Sequence, residues 1–318
     1  MSFTFAPEAQ PIIDNFITNG AKSFEKMGTI EELRNLYEHN CKLCAMPNLE
    51  HIYTEDHIAQ IDHYPISLRI YDISKDVKEA RPTVLFIHGG GWVIGNLNTH
   101  DSICRKIADS GKVRIIALDY RLAPEHKFPI PFEDCQRALQ YIMQNAANLH
   151  VDTNQMIFMG DSAGANMAAH LGQAFHLHYQ KKLKAQILLY PVIGYLPNTP
   201  SYQDYQSGLP LVKDTMLWFF DQLTSHPNQL QQLSLLNGPF DKNNGDVLLL
   251  TVEHDPLRDE ALILINQLVK NGINVEYHHL NGLMHGIFTL AGKLPIAENY
   301  LEKIGKYIIQ KIHQGNKE

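Results

Sequence analysis

Residues 156–159 form a short apolar run that leads straight into Gly160-Asp161-Ser162-Ala163-Gly164, and a helical pattern over 163–177 follows at once. A chain that passes from strand to helix within one residue must place that residue, Ser162, in a strained backbone conformation. Bulky side chains two positions to either side would clash, and glycine at 160 and 164 removes them. The helix that follows points its N-terminal dipole at any negative charge that develops beside the serine. This one motif predicts a strand–turn–helix unit with a serine hydroxyl on the turn.

The surrounding pattern predicts many such units. Short runs rich in branched apolar residues at 83–87, 113–118, 185–189, 247–252 and 275–279 read as strands. Helix-length amphipathic segments separate them, at 103–110, 132–143, 259–270 and 296–312. Continuous apolar strands alternating with helices indicate a mostly parallel sheet covered on both faces. Before this region, Ile12, Ile13, Phe16 and Ile17 make a helical stripe that stops near Gly20. Thr29 and Glu32 form a capping box ahead of Leu33, Leu36 and Tyr37. Residues 51–58 and 64–72 read as strands, the second with Ile66, Leu68 and Ile70 on one face. The segment 195–232 breaks the rhythm with Pro197, Pro200, Gly208 and Pro210, then an aromatic helix around Trp218, Phe219 and Phe220.

Composition narrows the function classes. The 318 residues carry 27 basic and 34 acidic side chains, a formal charge of −7, and 44% are hydrophobic, a globular balance. An acidic chain lacks the basic face that nucleic acid requires. The 17 histidines make its net charge sensitive to falling pH. Cys41 and Cys44 form a single CxxC without a second pair to complete a zinc site, and it follows a helical pattern where a redox motif would follow a strand. These thiols are expected to be reduced, and no metal is expected. The first twenty residues hold no Lys or Arg and no long apolar run, and no stretch approaches a membrane span. Residues 314–318 carry no retention or lipidation signal. The expectation is a cytoplasmic protein.

Ser162 needs a base, and the base needs a carboxylate to fix its tautomer. After a GxSxG nucleophile on such a turn, the acid is expected to follow in the chain and the histidine to come last. Asp255 follows the strand 247–252, and His285 follows the strand 275–279 in a predicted loop, 282–286. Both positions fall at C-terminal strand ends, where such sites assemble. His278 and His279 lie within a strand and His254 adjoins the acid, so His285 is preferred. Asp246 precedes its strand and Asp259 falls in a helical turn, so Asp255 is preferred. His88-Gly89-Gly90-Gly91-Trp92 closes the strand 83–87. Consecutive glycines let amides converge on one point, and Gly90, Gly91 and Ala163 are the expected donors to an oxyanion.

Taken in order, HGGGW, Asp119-Tyr120-Arg121-Leu122-Ala123-Pro124-Glu125-His126 with Phe128-Pro129, GDSAG, His254-Asp255-Pro256-Leu257-Arg258-Asp259 and Met284-His285-Gly286 resemble the hormone-sensitive-lipase-like branch of the α/β-hydrolase superfamily, which includes bacterial carboxylesterases. The likeness runs over about residues 60 to 312. It implies an α/β-hydrolase fold with a helical cap, a core at 46–195 and 233–318, and a cap at 1–45 and 196–232. It implies Ser162, Asp255 and His285 as the triad of a carboxylesterase that cleaves short-chain acyl esters, with no cofactor. In this family pattern His88 and Gly89 anchor the oxyanion loop, and Asp161 bonds nearby backbone. Arg121 and Glu125 are expected to pair under that loop. Trp92 reads as packing or acyl-pocket lining. Leu209, Leu211, Met216, Trp218 and Phe219 are candidate pocket walls or simply the cap's own core. The expected partner is a small-molecule ester, with no nucleic acid and no membrane span, and a homodimer is allowed. Two readings stay open: a non-catalytic small-molecule receptor on the same fold, and a deacetylase, amidase or lactonase using the same residues.

Overall fold

The computed structural model describes residues 4–18, 20, 23–61 and 64–314; most of the C-terminal run 314–318 lies outside them. Eight strands, β1 (Tyr53–Ala59), β2 (Ile66–Asp72), β3 (Arg81–Ile87), β4 (Arg114–Asp119), β5 (Val151–Asp161), β6 (Ala185–Leu189), β7 (Asp246–His254) and β8 (Val275–Met284), form one sheet. Their order is β1-β2-β4-β3-β5-β6-β7-β8. β2 runs antiparallel to β1 and β4, and every other neighbouring pair is parallel. This is the expected α/β-hydrolase arrangement.

Nine α-helices accompany the sheet among the described residues: α1 (Gln10–Thr18), α2 (Ile30–Cys44), α3 (Asp101–Gly111), α4 (Ile130–Gln144), α5 (Ala163–Tyr179), α6 (Pro200–Asp204), α7 (Lys213–Leu223), α8 (Arg258–Lys270) and α9 (Pro295–His313). Alternation along the central strands sorts the core into two layers. Val84 and Phe86 face α3 and α9, where Ile107, Ile304 and Ile308 meet them. Leu85 and Ile87 face α4 and α5, against Ala138, Met167 and Leu171. Each such side chain contributes about 1.5–3 kcal/mol by leaving water. The capping box forms as expected: Thr29 Oγ1 accepts from the Glu32 amide, and the Glu32 carboxylate accepts from the Thr29 amide. Among the described residues no helix is long and apolar enough to cross a membrane.

The structure corrects two local expectations. β8 does not stop near His279 but continues to Met284, so His285 directly follows a strand and does not sit deep in a loop. The extension contains Gly282 at φ 69°, with a register shift between Val252 and His254 opposite it. Its amide donates to Glu253 Oε2 at 2.6 Å, and its carbonyl accepts from the Ala6 amide at 2.8 Å. Arg121 and Glu125, in turn, do not pair. The stretch between them is not helical, so a four-residue spacing does not bring them together. Arg121 binds the buried Asp134 of α4 at 2.6 and 2.8 Å, while Glu125 turns outward to Arg34 of α2 at 2.7 and 2.9 Å.

The glycines flanking Ser162 are required by backbone, not by side chains. A Cβ on Gly164 would lie 2.1 Å from the Ile87 carbonyl oxygen and 2.4 Å from that of His88. Neither atom can move without shifting β3. Gly164→Ala is therefore expected to cost about 3 kcal/mol, at the upper end of overpacking effects. That corresponds to a fall in Tm of about 4–5 °C for a chain of this size, readable by calorimetry. A shift under about 2 °C would show that the α5–β3 approach is easily relaxed.

Candidate active site

β5 ends at Asp161 and α5 begins at Ala163, leaving Ser162 alone on the turn with φ 55° and ψ −121°. A side chain other than glycine adopts that conformation only under constraint. Here the Ser162 amide donates to the Leu189 carbonyl at 2.9 Å, and its own carbonyl accepts from Asn166 and Val192 at 3.2 and 3.3 Å. The hydroxyl is thus held at the C-terminal edge of the sheet.

The other two expected side chains meet it there. His285 Nε2 lies 2.9 Å from Ser162 Oγ, and His285 Nδ1 lies 2.6 Å from Asp255 Oδ2. Asp255 is 1% exposed, and its Oδ1 accepts from the Leu257 amide at 2.9 Å. An ionised carboxylate only accepts, so Nδ1 carries the hydrogen and Nε2 is left bare to take a proton from the serine. The competing residues are occupied elsewhere. Asp259 is bound by Arg258 Nε at 2.7 Å and by the Ser201 amide at 2.8 Å, and Asp246 by Lys311 at 2.6 Å. His279 Nδ1 is 2.8 Å from Thr251 Oγ1, and His254 Nε2 is 2.9 Å from the Thr4 carbonyl.

On the opposite side of Ser162 runs the glycine loop. Gly90 has φ 120° and Gly91 φ 58°, and the Gly90 carbonyl is tied back by the amides of Val93 and Ile94 at 3.0 Å. The amides of Gly90, Gly91 and Ala163 donate to no protein acceptor among the described residues, which leaves three donors unspent beside the hydroxyl. A Cβ on Gly91 would lie 2.3 Å from the Phe219 ring, so only glycine lets α7 close down on the loop.

Asp161 and His88 support the loop from beneath. Asp161 Oδ1 accepts from the Gly89 amide at 2.8 Å. Burial would raise the Asp161 carboxyl, but His100, the Gly89 amide and His88 outweigh it and hold it below the usual carboxylate range. His88 Nδ1 lies 2.8 Å from the Gly89 carbonyl, and its ring stacks on Tyr120 at 4.3 Å. Burial, reinforced by His100, pushes His88 down to about 3, so it is neutral and serves as a strut, not a base.

A cavity of about 770 Å³ opens above Ser162. Its walls come from α1 and α2 (Phe16, Leu36, Tyr37, Cys44), from the turn around Phe24 and Met27, and from Leu211, Met216 and Phe219 around α7. Among the expected wall residues, Leu209 and Trp218 do not reach the cavity. Leu209 is buried in the core, and Trp218 packs against Phe219 at 5.2 Å. Trp92 is fully buried against Phe132 and Phe220, a packing residue without contact to the cavity. Cys44 lines the cavity and Cys41 lies beneath it; burial raises both thiols, Cys41 to about 12, which leaves them protonated and weakly nucleophilic.

Tyr190 has a part that its sequence position alone did not reveal. Its ring lies 4.5 Å from the His285 imidazole and stacks on Phe288 at 5.7 Å, which sets the plane of the histidine. The available signal was its place just after the strand 185–189, at the sheet edge where His285 and Ser162 also lie. His100 gave no local signal at all.

Residues 84–289 match the family described as alpha/beta hydrolase fold. The chain is 32% identical over 246 residues to the ethyl acetate hydrolase of Pseudomonas putida, covering 76% of this chain and 77% of that one. It is 36% identical over 222 residues to an α/β-hydrolase relative from Acanthamoeba polyphaga mimivirus, covering 68% of this chain and spanning 64% of that relative's length. The hyperthermophilic esterase of the archaeon Pyrobaculum calidifontis superposes with a TM-score of 0.87 at 28% identity, over 97% of this chain and 99% of that one.

Proposed function

Because the chain belongs to the α/β-hydrolase fold family and is an ester hydrolase of the serine type, we propose that Ser162 is its nucleophile, His285 the base and Asp255 the group that orients it. One observation carries this reading: the unbroken run of short contacts from Asp255 through His285 to Ser162, at a cavity that Gly90 and Gly91 also line. Ser162 Oγ attacks the ester carbonyl as His285 Nε2 takes its proton. The carbonyl oxygen becomes negative within reach of the Gly90, Gly91 and Ala163 amides. His285 then returns the proton to the departing alcohol, an acyl-enzyme remains, and water repeats the sequence to free the acid.

The substrate is a small, uncharged ester with a short acyl chain. Among the described residues, Asp161 and His285 are the cavity's only charge-bearing side chains, and Asp161 is turned toward Gly89 and His100. No free countercharge among the described wall residues would pair with a carboxylate or ammonium on the substrate. The relative named for ethyl acetate supports the same size class. The cap that shapes this space is assigned to residues 1–45 and 196–232, on the grounds that the described parts of these two stretches supply most of its walls.

The test is a series of 4-nitrophenyl esters of increasing acyl length. We expect kcat/KM to peak between about two and six carbons and to fall at least tenfold by about twelve, because each further methylene must fit a closed wall. Rates that climb through long chains, with a jump once the ester forms aggregates, would replace this assignment with an interfacial lipase.

A further inference from the structure

Beneath the glycine loop lies a buried polar pair that the mechanism above does not use. His100, at the start of α3, is 1% exposed, and its Nε2 lies 3.2 Å from Asp161 Oδ1. The contact is off the hydrogen-bond axis, so it acts as charge against N–H dipole at close range rather than as an aligned bond. The same Oδ1 receives the Gly89 amide. His100 Nδ1 lies 2.8 Å from Thr99 Oγ1, which accepts from the Asn96 amide at 3.0 Å and shares its one hydrogen between Nδ1 and the Asn96 carbonyl. The rings of Phe86 and His88 close around it at 5.9 and 5.6 Å.

We propose that His100 is a positioning residue for ester hydrolysis: through Asp161 it holds the Gly89 end of the loop, so that the Gly90 and Gly91 amides face the developing oxyanion. Asp161 is the residue next to the nucleophile and is 4% exposed. A carboxylate so deeply buried keeps its charge only beside opposing dipoles. With the imidazole gone, Asp161 would take up a proton or draw in water, and its grip on Gly89 would loosen. The loop tolerates little play, since a Cβ on Gly89 would already lie 2.4 Å from Asp161 Oδ2. A displacement of about 1 Å at a donor can cost about 100-fold in rate. His100 does not itself line the cavity and reaches it only through Asp161, so substrate affinity should be spared.

The inference rests on the assignment of Ser162 above, and one set of measurements separates the two. The full-length wild type, His100→Leu and His100→Gln are labelled to completion with a fluorophosphonate, which counts functional serines, and kcat is expressed per labelled site. For His100→Leu we expect kcat per site to fall about 30- to 100-fold with KM within about twofold, comparable to loss of an oxyanion donor. The Ki of a trifluoromethyl ketone, whose adduct carries the oxyanion, should rise in parallel. His100→Gln, which keeps an N–H of similar reach, should recover to within about fivefold of wild type. A His100→Leu enzyme within about threefold of wild type per site, or a His100→Gln enzyme as slow as His100→Leu, would overturn the role of His100. A wild type that takes no label would overturn the Ser162 assignment and this inference with it. If His100→Leu yields no soluble protein, Thr99→Val takes its place. A fall of about three- to tenfold in kcat at constant KM supports the proposal, and unchanged kcat overturns it.

Discussion

Ser162→Ala is expected to lower kcat about 10⁴-fold or more, with KM little changed and the fold intact. Among the described residues the hydroxyl makes one hydrogen bond, to His285 Nε2, which lines the cavity and keeps its bond to Asp255 when the hydroxyl is lost. The backbone bonds from Leu189, Asn166 and Val192 that hold the turn do not involve the side chain. What disappears is the covalent intermediate, and the rate that survives is what the oxyanion donors and binding alone provide. The check pairs steady-state kinetics with intact-mass measurement after fluorophosphonate treatment: wild type gains one adduct, the variant none. A loss smaller than tenfold would remove Ser162 from the nucleophile's place.

Asp255→Asn should be nearly as severe, a fall of about 10³- to 10⁴-fold in kcat. Asp255 serves two donors at once, the Leu257 amide at Oδ1 and His285 Nδ1–H at Oδ2. An asparagine has one oxygen and one NH₂ group, so it can accept from only one of them. If the oxygen turns to Leu257, the NH₂ faces the imidazole, which must then present a bare Nδ1 and put its hydrogen on Nε2. In that tautomer His285 cannot take a proton from Ser162. If the oxygen turns to His285, two N–H groups oppose each other in a site that is 1% exposed. Asp259 cannot substitute, because it is held by Arg258 and Ser201. The kinetic measurement has a structural companion: the downfield proton resonance of His285 Nδ1–H should vanish in the variant. Retention of more than a tenth of wild-type kcat would assign the orienting role to another group.

The parts of this site that could be read from sequence were those set by local steric rules. Glycines at 160 and 164 are needed wherever a serine caps a strand–helix turn, and the clash distances at Gly164 express that rule directly. The parallel strands were legible because burial on both faces requires unbroken apolar runs. The end of β8 was not legible for a physical reason. Asn281-Gly282 has the composition of a turn, yet Gly282 uses its left-handed φ to make an irregularity within a strand that continues to Met284. The Arg121–Glu125 pair failed because charge spacing predicts contact only where the backbone repeats, and this stretch does not. Arg121 instead found Asp134 and Glu125 found Arg34, partners 13 and 91 residues away. Tyr190 and His100 share that difficulty: their roles arise from which elements the fold brings together.

Most of the cavity wall comes from two lengths of chain that are far apart in sequence, and the contacts between them include two made by side chains. Thr215 of α7 donates to the Glu25 carboxylate at 2.6 Å, and the rings of Phe24 and Phe219 lie 5.9 Å apart. The reacting groups belong to neither length. Most of the surface that lines the cavity thus lies on different stretches of the polypeptide from the reacting groups. Grafting the leading forty-odd residues of a relative onto this scaffold, with residue 215 matched to its new partner, would re-tailor which esters are accepted while the turnover machinery stays as it is.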